Sequence, residues 1–281
     1  MIAARTGEFW RDTETTGADG RFHATVSDRW SVVGGNANGG YVMGIAMRAL
    51  AATVPHPDPV AVSATYLRPA RPGPAEIATE LVRSGRRLSV GEARVSLAGK
   101  ETLRVVASFA TLPDPAESRI VQTRPRPQLP SPAQCLSLES AADQVSAEAL
   151  AATRQITLGQ RMEYRYPRIP GWITGQPSGD GQQEFWMRFA DGTAAEPMTL
   201  PTLVDTAIPA ALELSIWASM TVELTCYVRA RPRVDPDGWL ACRASTHYLS
   251  AGGFHEEDFE IWDSDGVLVA QSHQLMLDVT A

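Results

Sequence analysis

The sequence predicts an α+β fold built as two tandem units, each with a central helix wrapped by an antiparallel β-sheet. Three observations carry this expectation. The stretch VGGNANGGYVMGIAMRAL, residues 33–50, sets five glycines and two asparagines against an apolar run with helical spacing. Short β-rich runs broken by turn residues follow it. After a proline-rich interval the second half of the chain repeats the same plan.

In the helical run Val42, Ile45, Ala46 and Ala49 fall at i, i+3, i+4 and i+7, while Met43, Met47 and Leu50 occupy the other faces. A helix that is apolar nearly all round is a buried one. His56-Pro57-Asp58-Pro59 marks a turn, and the β-rich runs beyond it break at Arg71-Pro72-Gly73-Pro74, Ser84-Gly85 and Ala98-Gly99-Lys100, the signature of an antiparallel meander. From Pro113 to Pro132 proline, arginine and serine dominate, which predicts a linker running over the surface. Leu136 to Leu150 has the pattern of a short amphipathic helix. In the second half the strand QEFWMRFAD precedes TLPTLVDTAIPAALELSIW, where Pro201 suits a first helical turn and Pro209 ends or bends the helix. Further β-rich runs follow, separated by Pro236-Asp237-Gly238 and Gly252-Gly253. The expected units are 1–113, a linker 114–155, and 156–281.

Composition narrows the function. With 44% hydrophobic and 20% charged residues the chain has globular composition, and its formal net charge of -7 argues against a nucleic-acid partner. No apolar run reaches the roughly 18 residues of a membrane span, because Arg48 interrupts the best one. MIAARTGEFWRDTET lacks the apolar core of a signal peptide, so a cytoplasmic location is expected. Cys135, Cys226 and Cys242 are odd in number and have no C-x-x-C spacing, which disfavours a disulfide framework or a zinc site. His247, His255 and His273 match no helical zinc signature either, so neither metal nor cofactor is expected. The glycine spacing fits neither G-x-G-x-x-G nor a P-loop.

Among the carboxylates Asp205 stands out, because it lies within the apolar run Leu203, Val204, Ala207, Ile208, where a charge is costly unless paired or functional. The competing reading places it on an exposed helix face or as the cap of a local turn.

GGNANGGYVMGIAMRAL with HPDPVAVSATYLRPARPGPAEIATELVRSGR in the first half, and LVDTAIPAAL, TVELTCYVRARP and GVLVAQSHQLML in the second, together resemble the TesB-type acyl-CoA thioesterases. The resemblance covers most of the chain outside the linker and implies a double hotdog fold. It also implies hydrolysis of an acyl-CoA or other acyl thioester by an activated water, and assembly into a homo-oligomer. By position it assigns catalysis to Asp205 on the second-half helix, Thr221 on the following strand and Gln274 on the last strand. Asp can accept a proton while Thr and Gln orient the water without adding charge. No G-x-S-x-G elbow is present, which agrees with water as the nucleophile.

Within this reading Asn38, Gly39 and Gly40 border the acyl pocket, where a helix N-terminus offers an N–H to the thioester oxygen. The alternative use of these glycines is steric, a tight crossing of helix and sheet. Arg86 and Arg87 are candidates for the phosphates of CoA, or else ordinary solvated strand polarity. Two other functions stay open: a non-catalytic acyl-thioester binding protein, and a hotdog hydratase or dehydratase. The latter's patterns fail, since Ala251 stands four residues after His247, Pro209 four after Asp205 and Ala210 five after it.

Overall fold

The computed structural model describes residues 5–117, 120–145 and 156–280. A one-turn helix α1 (Glu8–Asp12) precedes the 13-residue helix α2 (Gly39–Ala51), which begins at the glycine pair. Asn38 starts α2: its side-chain oxygen accepts the Tyr41 N–H at 2.9 Å, the usual service of an N-cap. Ten of the 13 residues of α2 are buried, as its apolar circumference requires.

Around α2 wrap β1 (Thr16–Ala18), β2 (Arg21–Val26), β3 (Asp58–Tyr66), β4 (Gly73–Ser84), β5 (Ser89–Leu97) and β6 (Lys100–Ala110). The expected meander is β4-β5-β6, and Ala98 (φ 49°) with Gly99 (φ 71°) forms the two-residue turn that joins its last hairpin. The second half contributes β7 (Met162–Arg165), β8 (Gln182–Phe189), β9 (Ser219–Val228), β10 (Leu240–Ser245), β11 (Phe254–Trp262) and β12 (Leu268–Asp278). All these strands join one antiparallel sheet in the order β1-β2-β4-β5-β6-β3-β9-β12-β11-β10-β8-β7. The halves meet where β3 pairs β9, from Ala61↔Tyr227 to Thr65↔Glu223. This is the double hotdog: two units side by side in a continuous sheet, their interiors facing one core.

The second unit departs from the sequence expectation in its helix. Only Leu200–Leu203 is α-helical, with Pro201 in the first turn; a turn then holds Asp205 and Thr206, and a 3-10 helix spans Ala210–Leu214 after Pro209. Pro209 lacks an N–H and disfavours α geometry at Ile208, so the helix cannot continue through it. The short helix packs against α2 at glycines. A Cβ on Gly40 would stand 2.7 Å from Thr202 O, and one on Gly44 2.7 Å from Thr202 Oγ1.

The expected helix from Leu136 to Leu150 is not formed over its described part. Leu136 bridges to Tyr166, and residues 137–145 form turns. Ser137 and Ser140 exchange side-chain to backbone hydrogen bonds of 2.9 and 3.0 Å, a reciprocal pair that closes a local turn. Residues 146–155 lie outside the described residues. The preceding proline-rich segment packs on the outer face of the second unit, where Trp186 Nε1 donates to Pro130 O at 2.8 Å and Leu129 and Cys135 join Trp186, Trp239 and Trp262. All three cysteines are free and buried.

Candidate functional site

The turn after the short helix delivers Asp205 to the N-terminus of α2. Its Oδ2 accepts the backbone N–H of Gly40 and, at 3.3 Å, the Nδ2 of Asn38, which also donates to the Asp205 carbonyl at 2.7 Å. Asn38 therefore acts twice, capping α2 with its oxygen and tethering Asp205 with its nitrogen. The α2 dipole favours an anion here, but burial outweighs these donors and pushes the carboxyl up to about 7.

The glycines make this approach possible. A Cβ on Gly39 would lie 2.7 Å from Tyr66 Cε1 and 3.0 Å from Asp205 Oδ2, and one on Gly40 would lie 2.7 Å from Asp205 Cβ. Both positions pass too close to their neighbours for any side chain. The amide of Gly40 is taken by Asp205, so it is not the N–H expected from this turn for a substrate oxygen. Among the described residues the buried Tyr66 hydroxyl has no hydrogen-bond partner, and burial, with Asp205 next in effect, holds it well above the usual phenol range.

A second cluster lies on the inner face of the second unit. Thr221 Oγ1 donates to Gln274 Oε1 at 3.0 Å, Gln274 Nε2 donates to Glu257 Oε1 at 3.3 Å, and Ala210 N–H donates to Glu257 Oε2 at 2.6 Å. A β-bulge aims Thr221. The register runs Leu275↔Glu223 and then Met276↔Thr221, leaving Val222 unpaired on β9. The extra residue reverses the side-chain alternation, so Thr221 points inward with Leu224 and Gln274 instead of outward with Glu223. The two clusters sense each other, since the charge of Asp205 acts on Glu257.

An apolar core, a helix N-terminus holding a carboxylate and a Thr-Gln pair thus lie on the inner side of one continuous sheet. The acyl-CoA thioesterase C-terminal domain matches residues 132–277, and the N-terminal domain of the same family matches residues 26–110. The chain belongs to the acyl-CoA thioesterase family. A candidate thioesterase II from Thermobifida fusca superposes with a TM-score of 0.82 at 27% identity, covering 96% of each chain. A hot dog protein of unknown function from Alicyclobacillus acidocaldarius superposes with a TM-score of 0.78 at 23% identity over 97% of this chain and 98% of its own, a likeness of fold. An uncharacterized Mycobacterium tuberculosis protein is 26% identical over 283 residues, 91% of this chain and 90% of its own.

For this acyl-CoA thioesterase family member, sequence reasoning missed Glu257 and Tyr66. Glu257 hides in the acidic run His255-Glu256-Glu257-Asp258, yet it shares the period-2 phase of Phe259 and Ile261, and all three are buried. Burial first, and the charge of Asp205 behind it, raise its carboxyl to about 8 against the Ala210 N–H. Tyr66 had no signal beyond its place at the end of β3. Arg86 and Arg87 are not brought to this cluster. They occupy the β4-β5 turn, where Ser89 pairs with Phe109 and Phe109 with Pro59, whereas Tyr66 pairs with Leu103 at the other end of β3. Seven residues of strand, about 23 Å, separate the two ends within the chain. Of the histidines, His273 pairs with Asp258 at 2.8 Å, while His255, buried in the same strand phase as Glu257, meets Ser219 at 3.2 Å. Among the described residues no His/Cys/Asp/Glu group could hold a metal, and no helix is long and apolar enough to cross a membrane.

Proposed function

We propose that this chain hydrolyses acyl-CoA thioesters with a water activated by Asp205 and oriented by Thr221 and Gln274. The observation that carries the reading is Asp205 itself, a carboxylate drawn into an apolar core by Gly40 and Asn38 and raised to about 7, near the pH at which a general base works best. Water attacks the thioester carbonyl carbon and gives its proton to Asp205. The tetrahedral intermediate collapses, the C–S bond breaks, and the proton on Asp205 passes to the departing CoA thiolate. The Gly39 N–H at the α2 N-terminus is the backbone donor assigned to the carbonyl oxygen, since that of Gly40 is engaged. Arg86 and Arg87 belong to the proposal only as CoA phosphate contacts reached from beyond this cluster. Assembly into a homo-oligomer in the cytoplasm is part of the same reading, and exposed Val106, Tyr227 and Leu275 on the outer face near the central strands support it.

The deciding experiment measures release of free thiol from acyl-CoAs of short, medium, long and aryl chains, with Asp205→Asn beside the unmodified protein. Turnover that vanishes in the variant supports the reading. No turnover across the panel, with acyl-CoA still bound, would replace it by a binding function.

A further inference from the structure

The hydrogen-bond chain from Ala210 to Thr221 has a direction, and Glu257 sets it. Glu257 is 2% exposed and stands directly opposite Gln274 in the β11-β12 register. One of its oxygens takes the Ala210 N–H and the other takes Gln274 Nε2. Once ionised, above about pH 8, this carboxylate only accepts, so the glutamine must then turn its NH2 end to Glu257 and its carbonyl to Thr221. Thr221 then spends its proton on Gln274, and the lone pairs of its oxygen remain to accept a proton from a water.

We propose that Glu257 is a positioning residue of the hydrolytic site, fixing the orientation of the Gln274 amide and through it the donor direction of the Thr221 hydroxyl. This rests on the thioesterase reading above. If Glu257 were protonated, its O–H would be best met by the Gln274 carbonyl. The amide would turn over and present NH2 to Thr221, which reverses the donors around the water. The charged group acting on Glu257 is Asp205, from the turn after the short helix; its other partners are neutral, Gln274 on β12 and the backbone N–H groups of Ala210 and Ala211. With its carboxyl at about 8, the switch between these two orientations falls in the alkaline part of the working range.

Glu257→Gln separates positioning from mere packing. The new side chain keeps the volume and leaves one oxygen for the Ala210 N–H, so its NH2 must face Gln274 and impose the reversed orientation. Two readouts are taken together. One is kcat and KM on the best acyl-CoA from pH 6 to 10. The other is the side-chain amide resonances of Gln274 in glutamine-labelled protein, assigned by their loss in Gln274→Ala.

In the unmodified protein the Gln274 resonances should titrate near pH 8; in the variant they should shift and stop titrating. There kcat should fall by about tenfold or more above pH 8, where Glu257 is ionised in the unmodified protein, the cost of one mispaired buried group, and by less below it, with KM within about twofold. Unmodified kcat and pH profile in a folded variant, or Gln274 resonances indifferent to pH in the unmodified protein, would overturn the proposal. The titration needs no variant, so it decides the matter even if Glu257→Gln does not fold. Resonances that follow Glu257 in a protein that hydrolyses no thioester would leave the orientation standing and remove the thioesterase reading instead.

Discussion

The backbone N–H of Gly40 donates to the carboxylate of Asp205, 165 residues away in sequence, and so ties the start of the first unit's helix to the broken helix of the second. Each unit alone has half of this contact. The first supplies donors at a helix N-terminus and the second an acceptor in a turn that Pro209 prevents from becoming helix.

Asp205 should lower the stability of the fold as pH rises. Its carboxyl stands at about 7 in the folded chain against about 4 when unfolded. Between those values the unfolded chain has released a proton that the folded chain still holds, so stability falls as pH climbs through that window and levels off above it. Asp205→Asn removes the liability. At pH 8 it should be more stable by about 1 to 3 kcal/mol, partial solvent access trimming the full linkage value, and the advantage should shrink at pH 5. Urea unfolding at the two pH values measures this; an advantage that does not depend on pH would contradict it.

The same ionisation should govern turnover. If Asp205 must be a carboxylate to take the water's proton, kcat/KM on an acyl-CoA should rise with pH through 7, well above the usual aspartate range, and go on rising to about 8 as Glu257 ionises. A profile flat from pH 5 upward would exclude Asp205 as the base.

Gly40→Ala should be costly in both stability and turnover. The added methyl would sit 2.7 Å from Asp205 Cβ and 2.7 Å from Thr202 O, and the latter is backbone that cannot swing aside. Overpacking of this kind costs about 1 to 3 kcal/mol. Thermal melts should drop accordingly, and because Asp205 is the group displaced, kcat should fall further than stability alone explains. A variant with unmodified melting and turnover would show that α2 and the turn can part without consequence.

Much of this arrangement is legible in the residues, and the parts that are not share a cause. The apolar circumference of Val42 to Leu50 gives a buried helix, the turn residues of 84–99 give the meander, and the apolar neighbours of Asp205 mark a buried carboxylate. Thr221 is different: strict alternation along β9 would point it outward with Glu223, and only the unpaired Val222 turns it in. A bulge belongs to the pairing of two strands, so neither strand's sequence displays it. Glu257 is masked by acidic neighbours that face solvent, and its burial depends on Ala210 arriving overhead from another segment. At 137–145 the helical pattern of apolar residues forms turns instead, closed by the reciprocal Ser137–Ser140 pair.

The Thr221 hydroxyl should matter more than its methyl. Thr221→Val keeps the shape and β-branching but leaves Gln274 Oε1 without its donor, 3.0 Å away in the unmodified protein. An unsatisfied buried acceptor costs about 1 to 3 kcal/mol, and kcat should fall by a comparable factor of about ten. Thr221→Ser, which restores the hydroxyl, should recover most of the turnover. If valine and serine behave alike in steady-state kinetics, the hydroxyl has no part in orienting the water.

Asn38 offers the sharpest test of the seam, because its two roles can be separated by substitution. Its oxygen caps α2 and its nitrogen tethers Asp205. Asn38→Ala loses both roles: the missing cap costs about 1 kcal/mol, and without the donor that favours the charged carboxylate the acid limb of kcat/KM should move to higher pH. Asn38→Asp retains a capping oxygen but replaces the donor by a second carboxylate facing Asp205. Two carboxylates sharing one site cannot both ionise readily, so the acid limb should move further up than in the alanine variant. The aspartate variant should therefore be impaired as a catalyst near pH 7 and regain turnover as pH rises. If its pH profile coincides with that of the unmodified protein, Asn38 is only a helix cap, and the ionisation of Asp205 is set by burial and Gly40 alone.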